Sequence, residues 1–118
     1  MYSIKADVSK NRLYVVVDGT VALDELDAYT ADMKKNLGML KSGFTALLDL
    51  SKTVVFDQDA MKQLQDTKEL AVAAGLSKSA MVVASATLKM QMNRNFKSVG
   101  PQDRAFNDIG EAEKFLAE

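Results

Sequence analysis

The apolar positions of this chain follow two rhythms in alternation. From Tyr2 to Val8 the period is two: Tyr2, Ile4, Ala6 and Val8 share one face, and Ser3, Lys5 and Asp7 share the other. That pattern predicts a half-buried strand. Ser9-Lys10-Asn11 is a short polar turn, so the next run should return antiparallel as a hairpin. Leu13 to Val17 is apolar at every position, which predicts an interior strand with both faces covered. Past Asp18-Gly19-Thr20 the rhythm changes to that of a helix, over Leu23 to Leu40, with Leu26, Tyr29, Met33, Leu37 and Leu40 in one stripe. Gly43 reads as the glycine just past this helix, with Phe44 folding back onto Met39.

The same alternation repeats. Ala46 to Leu50 predicts a second doubly covered strand, interrupted by Asp49. A helix follows over Gln58 to Ala74, with Asp57 as its N-cap and Phe56 and Met61 as a hydrophobic staple. Gly75 ends it, and Leu76 is the residue that folds back. Ser79 to Ala84 is a further strand. Ser85 or Thr87 caps a third helix whose inner face is Leu88, Met92, Phe96 and Val99, and Gly100-Pro101 stops it. Arg104 to Phe106 predicts a short edge strand. Asp108-Ile109-Gly110-Glu111 has capping-box spacing and opens a last helix that buries Phe115 and Leu116. The order β-β-α-β-α-β-α-β-α implies an α/β fold with a mostly parallel five-stranded sheet, the first strand antiparallel. No linker composition or repeat divides residues 1–118, so the expectation is a single domain.

Composition narrows the chemistry. There is no Cys, which removes disulfides, thiol catalysis and thiolate metal sites. There is no His either, which removes the commonest general base and the commonest metal ligand. A net charge of −1 gives no global field to draw in nucleic acid. No apolar run approaches the ~18 residues of a membrane span, and the alternating, charged start is unlike a signal peptide. A cytoplasmic protein is the expectation.

Few residues suggest a reaction. No glycine-rich phosphate loop is present, and the serines have no His to activate them. Asp24, Glu25 and Asp27 match a helix dipole and lack the spacing of a calcium loop, so no metal site is expected. Asp49 stands where a phosphoacceptor aspartate would, but Asp18 is alone and no lysine directly follows Phe106 at the end of the last strand. Its carboxylate is better spent on the amides of the Ser51–Thr53 loop. Lys89, Arg94 and Lys97 make the third helix locally basic, with Met90 off its inner stripe and open to contact. Ser85 and Thr87 open that helix after a buried strand. Its first amides can hold an anion or carboxylate, or the two side chains can simply cap it. Catalysis without His or Cys would need a carboxylate or lysine pair, and none is visible; the protein is read as not an enzyme.

At T-A-L-L-D-L-S-K-T-V-V-F-D-Q-D-A-M-K-Q-L the chain resembles the STAS domain family, and within it the SpoIIAA-like branch of small stand-alone proteins. Asp49 matches the family's strand aspartate, Asp57 its loop aspartate and Leu64 a core position of the next helix. V-V-V-D-G-T-V-A-L-D-E-L and A-F-N-D-I-G-E-A-E-K-F-L look like the second strand with first helix and the closing strand with helix. The resemblance implies a SpoIIAA-like fold and a regulatory module, without cofactor, that meets a partner protein at the start of the second helix. Asp57, Gln58, Asp59 and Lys62 would form that edge. The family's phosphorylatable serine corresponds to Gln58 here, and glutamine accepts no phosphoryl group. The alternative is a carrier or sensor of a small apolar or amphipathic, lipid-like ligand, suggested by Met-rich and small-residue helix stripes. A homodimer is compatible with either.

Overall fold

The computed structural model describes residues 2–19, 23–53, 58–90 and 102–118. Strands β1 (Tyr2–Asp7), β2 (Arg12–Asp18), β3 (Thr45–Lys52), β4 (Lys78–Val83) and β5 (Gln102–Phe106) lie in that order across one sheet. β1 pairs antiparallel with β2, and every later pairing is parallel. Helices α1 (Leu23–Leu37) and α2 (Gln58–Ala73) connect β2 to β3 and β3 to β4, and α3 (Ile109–Ala117) follows β5. Residues 86–90 are also helical. The element order, the mixed sheet and the edge position of β5 are those read from the sequence.

Consecutive strand order decides where the core sits. Each parallel connection steps the same way, and right-handed crossovers then put every connecting helix on one face. That face holds the larger core: Leu13, Val15 and Val17 of β2, Tyr29, Met33 and Leu37 of α1, Met61 and Leu64 of α2, and Leu88. The opposite face is left to α3, which buries Ala112, Phe115 and Leu116 against Leu47, Ala80 and Val82. The double covering expected of β2 is therefore partial. Tyr14 is half-buried, and Val16 is 38% exposed because, among the described residues, one short helix serves that whole face.

Two expected boundaries move for local reasons. Val8 was expected on the buried face of β1, but it is 61% exposed in the turn. Asp7 ends the strand, since its Oδ1 accepts from Ser9 Oγ at 2.9 Å and from the Lys10 amide at 3.2 Å. The Ser9 hydroxyl and Lys10 amide hold the Asp7 carboxyl below its ordinary pKa. α1 stops at Leu37, short of Leu40, in a tightened turn where Met39 donates to Asn36 O and Leu40 to Leu37 O, each at 3.1 Å. Gly43 is consequently not the residue past this helix. It sits at φ 93° in the entry to β3 and donates to Gly75 O at 2.7 Å. Phe44 is 1% exposed in the main core while Met39 is 50% exposed.

The other helix ends match expectation. At α2 the Leu76 amide donates to Ala71 O and the Gly75 amide to Val72 O, both at 3.1 Å, with Gly75 at φ 111°: a Schellman closure. The staple and cap proposed at Phe56 and Asp57 lie outside the described residues, as do Met92, Phe96, Val99 and Gly100-Pro101. At α3, Asp108 accepts from the Glu111 amide at 3.2 Å. Asp108→Ala is expected to cost about 1 kcal/mol, read as a fall in Tm of roughly 4 °C. α3 is also held by charge. Lys78 Nζ donates to Phe115 O at 3.4 Å and to Glu118 O at 3.1 Å. Tyr14 donates to Glu113 Oε1 at 2.7 Å, and the buried Arg12 lies 3.5 Å from that same oxygen.

Under α1 the Tyr29 phenol is buried, and burial pushes its pKa from 10.0 up to about 12. Below pH 10 the phenol is protonated in both folded and unfolded chains. Between pH 10 and about 12 the unfolded chain ionises and the folded one does not, so stability falls as pH rises. The slope from this group is at most about 1.4 kcal/mol per pH unit. Tyr29→Phe should flatten that alkaline fall in denaturation midpoints. Some slope should remain from Tyr2, whose phenol donates to Asp32 at 2.6 Å and is raised first by that bond.

Candidate functional site

The carboxyl ends of β2 and β3 form a stitched platform. Thr53 is 2% exposed, and its hydroxyl lies 3.1 Å from Val17 O and 2.9 Å from Gly19 O. The Gly19 amide donates to Lys52 O at 3.3 Å, and the Thr53 amide to Leu50 O at 3.1 Å. Asp49 accepts from the Ser51 amide at 3.0 Å, the loop-bonding role expected of it. These bonds fix where the chain leaves the sheet before α2.

α2 then divides by helical period. Ala60, Met61 and Leu64 are buried, which turns Gln58, Asp59 and Lys62 outward, and all three are exposed. Lys62 Nζ is 3.5 Å from Asp66 Oδ2 on the next turn, an exposed pair that tethers the ammonium loosely. Asp57 lies outside the described residues. The structure thus brings three of the four expected residues onto one solvent face. Two supports went unread in the sequence. Thr53 is one. The other is Gln63, whose Nε2 hydrogen-bonds Thr30 Oγ1 on α1 and ties the two helices together. Their partners lie more than thirty positions away, and no local spacing announces them.

Ser85 and Thr87 follow β4, the parallel neighbour of β3, and so sit at the same edge of the sheet. Ser85 Oγ accepts from the Leu88 amide at 3.2 Å, and its carbonyl accepts from the Lys89 amide at 3.0 Å. Its side-chain oxygen is engaged in capping; Thr87 is exposed. Met90 is 66% exposed, as expected of a residue off the inner stripe, while Arg94 and Lys97 lie outside the described residues. Among the described residues, no three acids converge closely enough to hold a metal ion, and no helix is long and apolar enough to cross a membrane.

No protein family matches the sequence, and no curated protein matches it. The backbone does have relatives. It superposes on an uncharacterised DUF3478-family protein with a SpoIIAA-like fold from Shewanella loihica PV-4, with a TM-score of 0.76 at 14% identity, over 98% of this chain and 93% of that one. The chain has a SpoIIAA-like fold. The anti-sigma factor antagonist SpoIIAA in its unphosphorylated form matches with a TM-score of 0.66 at 16% identity, over 99% and 98% of the two chains. An anti-sigma factor antagonist from Mycobacterium paratuberculosis matches with 0.65 at 12% identity, over 100% and 96%. Agreement of backbones at so low an identity means that the SpoIIAA-like fold is held by pattern and not by particular side chains. Functional residues have to be argued from their own geometry.

Proposed function

We propose that this protein is a non-catalytic regulatory module, one domain over residues 1–118, that docks a partner protein on the opening turns of α2. Asp57, Gln58, Asp59 and Lys62 make the recognition edge. The observation that carries this reading is the outward face of Gln58, Asp59 and Lys62 on a helix whose inner face and sheet exit are firmly bonded. A polar surface on a rigid base loses little entropy on association. Two structural relatives are named as anti-sigma factor antagonists, proteins that act on another protein, which supports the same mode. Gln58 stands where the STAS resemblance places a phosphorylatable serine. Its amide donates and accepts hydrogen bonds but takes no phosphoryl group, so docking here runs without that switch.

The test is affinity capture from extract of the source cells with wild type and a Gln58→Ala/Lys62→Glu variant. Exposed substitutions of this kind leave stability within about 0.5 kcal/mol. Wild type should retain a partner that the variant loses by tenfold or more at equal melting temperature. Identical partner sets would overturn the assignment of this surface.

A further inference from the structure

Between the sheet and the α1–α2 pair lies an apolar cavity of about 50 Å³. Ala46, Leu64, Ala71 and Met81 line it, together with the half-buried Lys68 and three hydroxyl groups: Tyr29, Thr67 and Ser79. Two of the hydroxyls are accounted for. Thr67 Oγ1 lies 3.0 Å from the carbonyls of Gln63 and Leu64, and the Thr67 hydroxyl stands close enough to the Tyr29 phenol to act on its ionisation. Ser79 is different. It is 7% exposed, and it shares the face of β4 that carries Met81 and Val83 into the main core. Its side chain has no hydrogen-bond partner among the described residues. A buried hydroxyl without a partner costs free energy.

Water satisfies such a group poorly here. A buried water needs two to four polar partners, and this cavity offers one unpartnered hydroxyl among walls that are hydrocarbon apart from Tyr29, Thr67 and Lys68. A charged guest would lose its hydration against walls on which Lys68 is the one charged residue, so an anion is the counterpart to test. We propose that the cavity is a binding site for a small uncharged amphiphile, with a short hydrocarbon body against Leu64, Ala71 and Met81 and one hydrogen-bonding group on Ser79 Oγ. The volume sets its size. At about a third of the ~150 Å³ that takes up six-carbon benzene, the site holds roughly two to three heavy atoms. It lies beneath α2, away from that helix's outward face, and the assignment does not depend on partner docking.

The probe is ethanol, titrated into the full-length protein and followed by methyl and amide NMR, with acetate as the charged counterpart. Saturable shifts are expected at Ala46, Leu64 and Met81 with ethanol and none there with acetate. Ser79→Ala should weaken the dissociation constant roughly fivefold, the loss of one neutral hydrogen bond. Ala46→Val should fill the space and abolish binding. Shifts that never saturate, equal or tighter binding of acetate, or wild-type affinity in Ser79→Ala would each overturn the proposal. Should Ala46→Val fail to fold, the Ser79→Ala comparison still decides.

Discussion

Leu50→Ala is expected to lower the free energy of unfolding by about 2–5 kcal/mol. Leu50 is 0% exposed near the end of β3, in the main core with residues of β2, α1, α2 and β4. Leu50 pairs with Val83 of β4, and Asp49 and Lys52 to either side of it pair with Val16 and Asp18 of β2 across a register shift, so the backbone has little room to close in. Such a site collapses little, so much of the lost volume stays as a cavity. Against a total stability of ~5–15 kcal/mol for a domain of this kind, the loss is a large fraction. Urea denaturation should show a lower midpoint with an unchanged slope. Val16→Ala is the companion experiment. Val16 is equally apolar and equally embedded in the sheet, but it faces the thinly covered side at 38% exposure. Its loss should cost no more than about 0.5 kcal/mol. Similar costs at the two positions would mean that the assignment of sheet faces is wrong.

Val16 also marks the limit of what the sequence made legible. An unbroken apolar run says that a strand is interior, and β2 is interior. It does not say which face is closed. That depends on the hand of the crossovers and on α3, which lies nearly a hundred residues away at Glu113. Features that need only near neighbours were readable: the alternation in Tyr2, Ile4 and Ala6, the stripe of Tyr29, Met33 and Leu37, the Gly75-Leu76 closure and the Asp108 cap. Features set by distant partners were not. Val8 reads as strand until the Asp7 carboxylate is seen to curl the chain, and Gly43 reads as a helix end until Gly75 is seen beside it. The candidate surface divides the same way. Helical period alone turns Gln58, Asp59 and Lys62 outward, whereas Thr53 and Gln63 act through carbonyls and hydroxyls on other elements.

The second large effect is expected at Gly75, where Gly75→Ala should cost about 3 kcal/mol, the upper end for a strained backbone, with steric conflict adding to it. Two independent obstacles meet there. The backbone is at φ 111°, a conformation that L side chains rarely adopt. A methyl group at Gly75 would also lie 2.7 Å from Ser42 Cα and 2.8 Å from Ser42 Cβ. Ser42 has little room to retreat. Its neighbour Gly43 donates to Gly75 O at 2.7 Å, the Ser77 amide donates to Phe44 O at 2.8 Å, and Ser77 Oγ lies 2.8 Å from Gly43 O. Phe44, 1% exposed, anchors the segment in the core. Moving Ser42 aside would therefore break this cross-link or shift a buried aromatic ring. Gly43 separates the two obstacles. It has φ 93°, but nothing lies within 4 Å of where its methyl would stand. Gly43→Ala should cost only the left-handed backbone penalty, about 1–2 kcal/mol. Thermal melts of the two variants should differ by several degrees, at roughly 4 °C per kcal/mol. If Gly43→Ala melts at or below Gly75→Ala, contact between the β3 entry loop and the end of α2 is not what demands glycine, and backbone strain alone sets both costs.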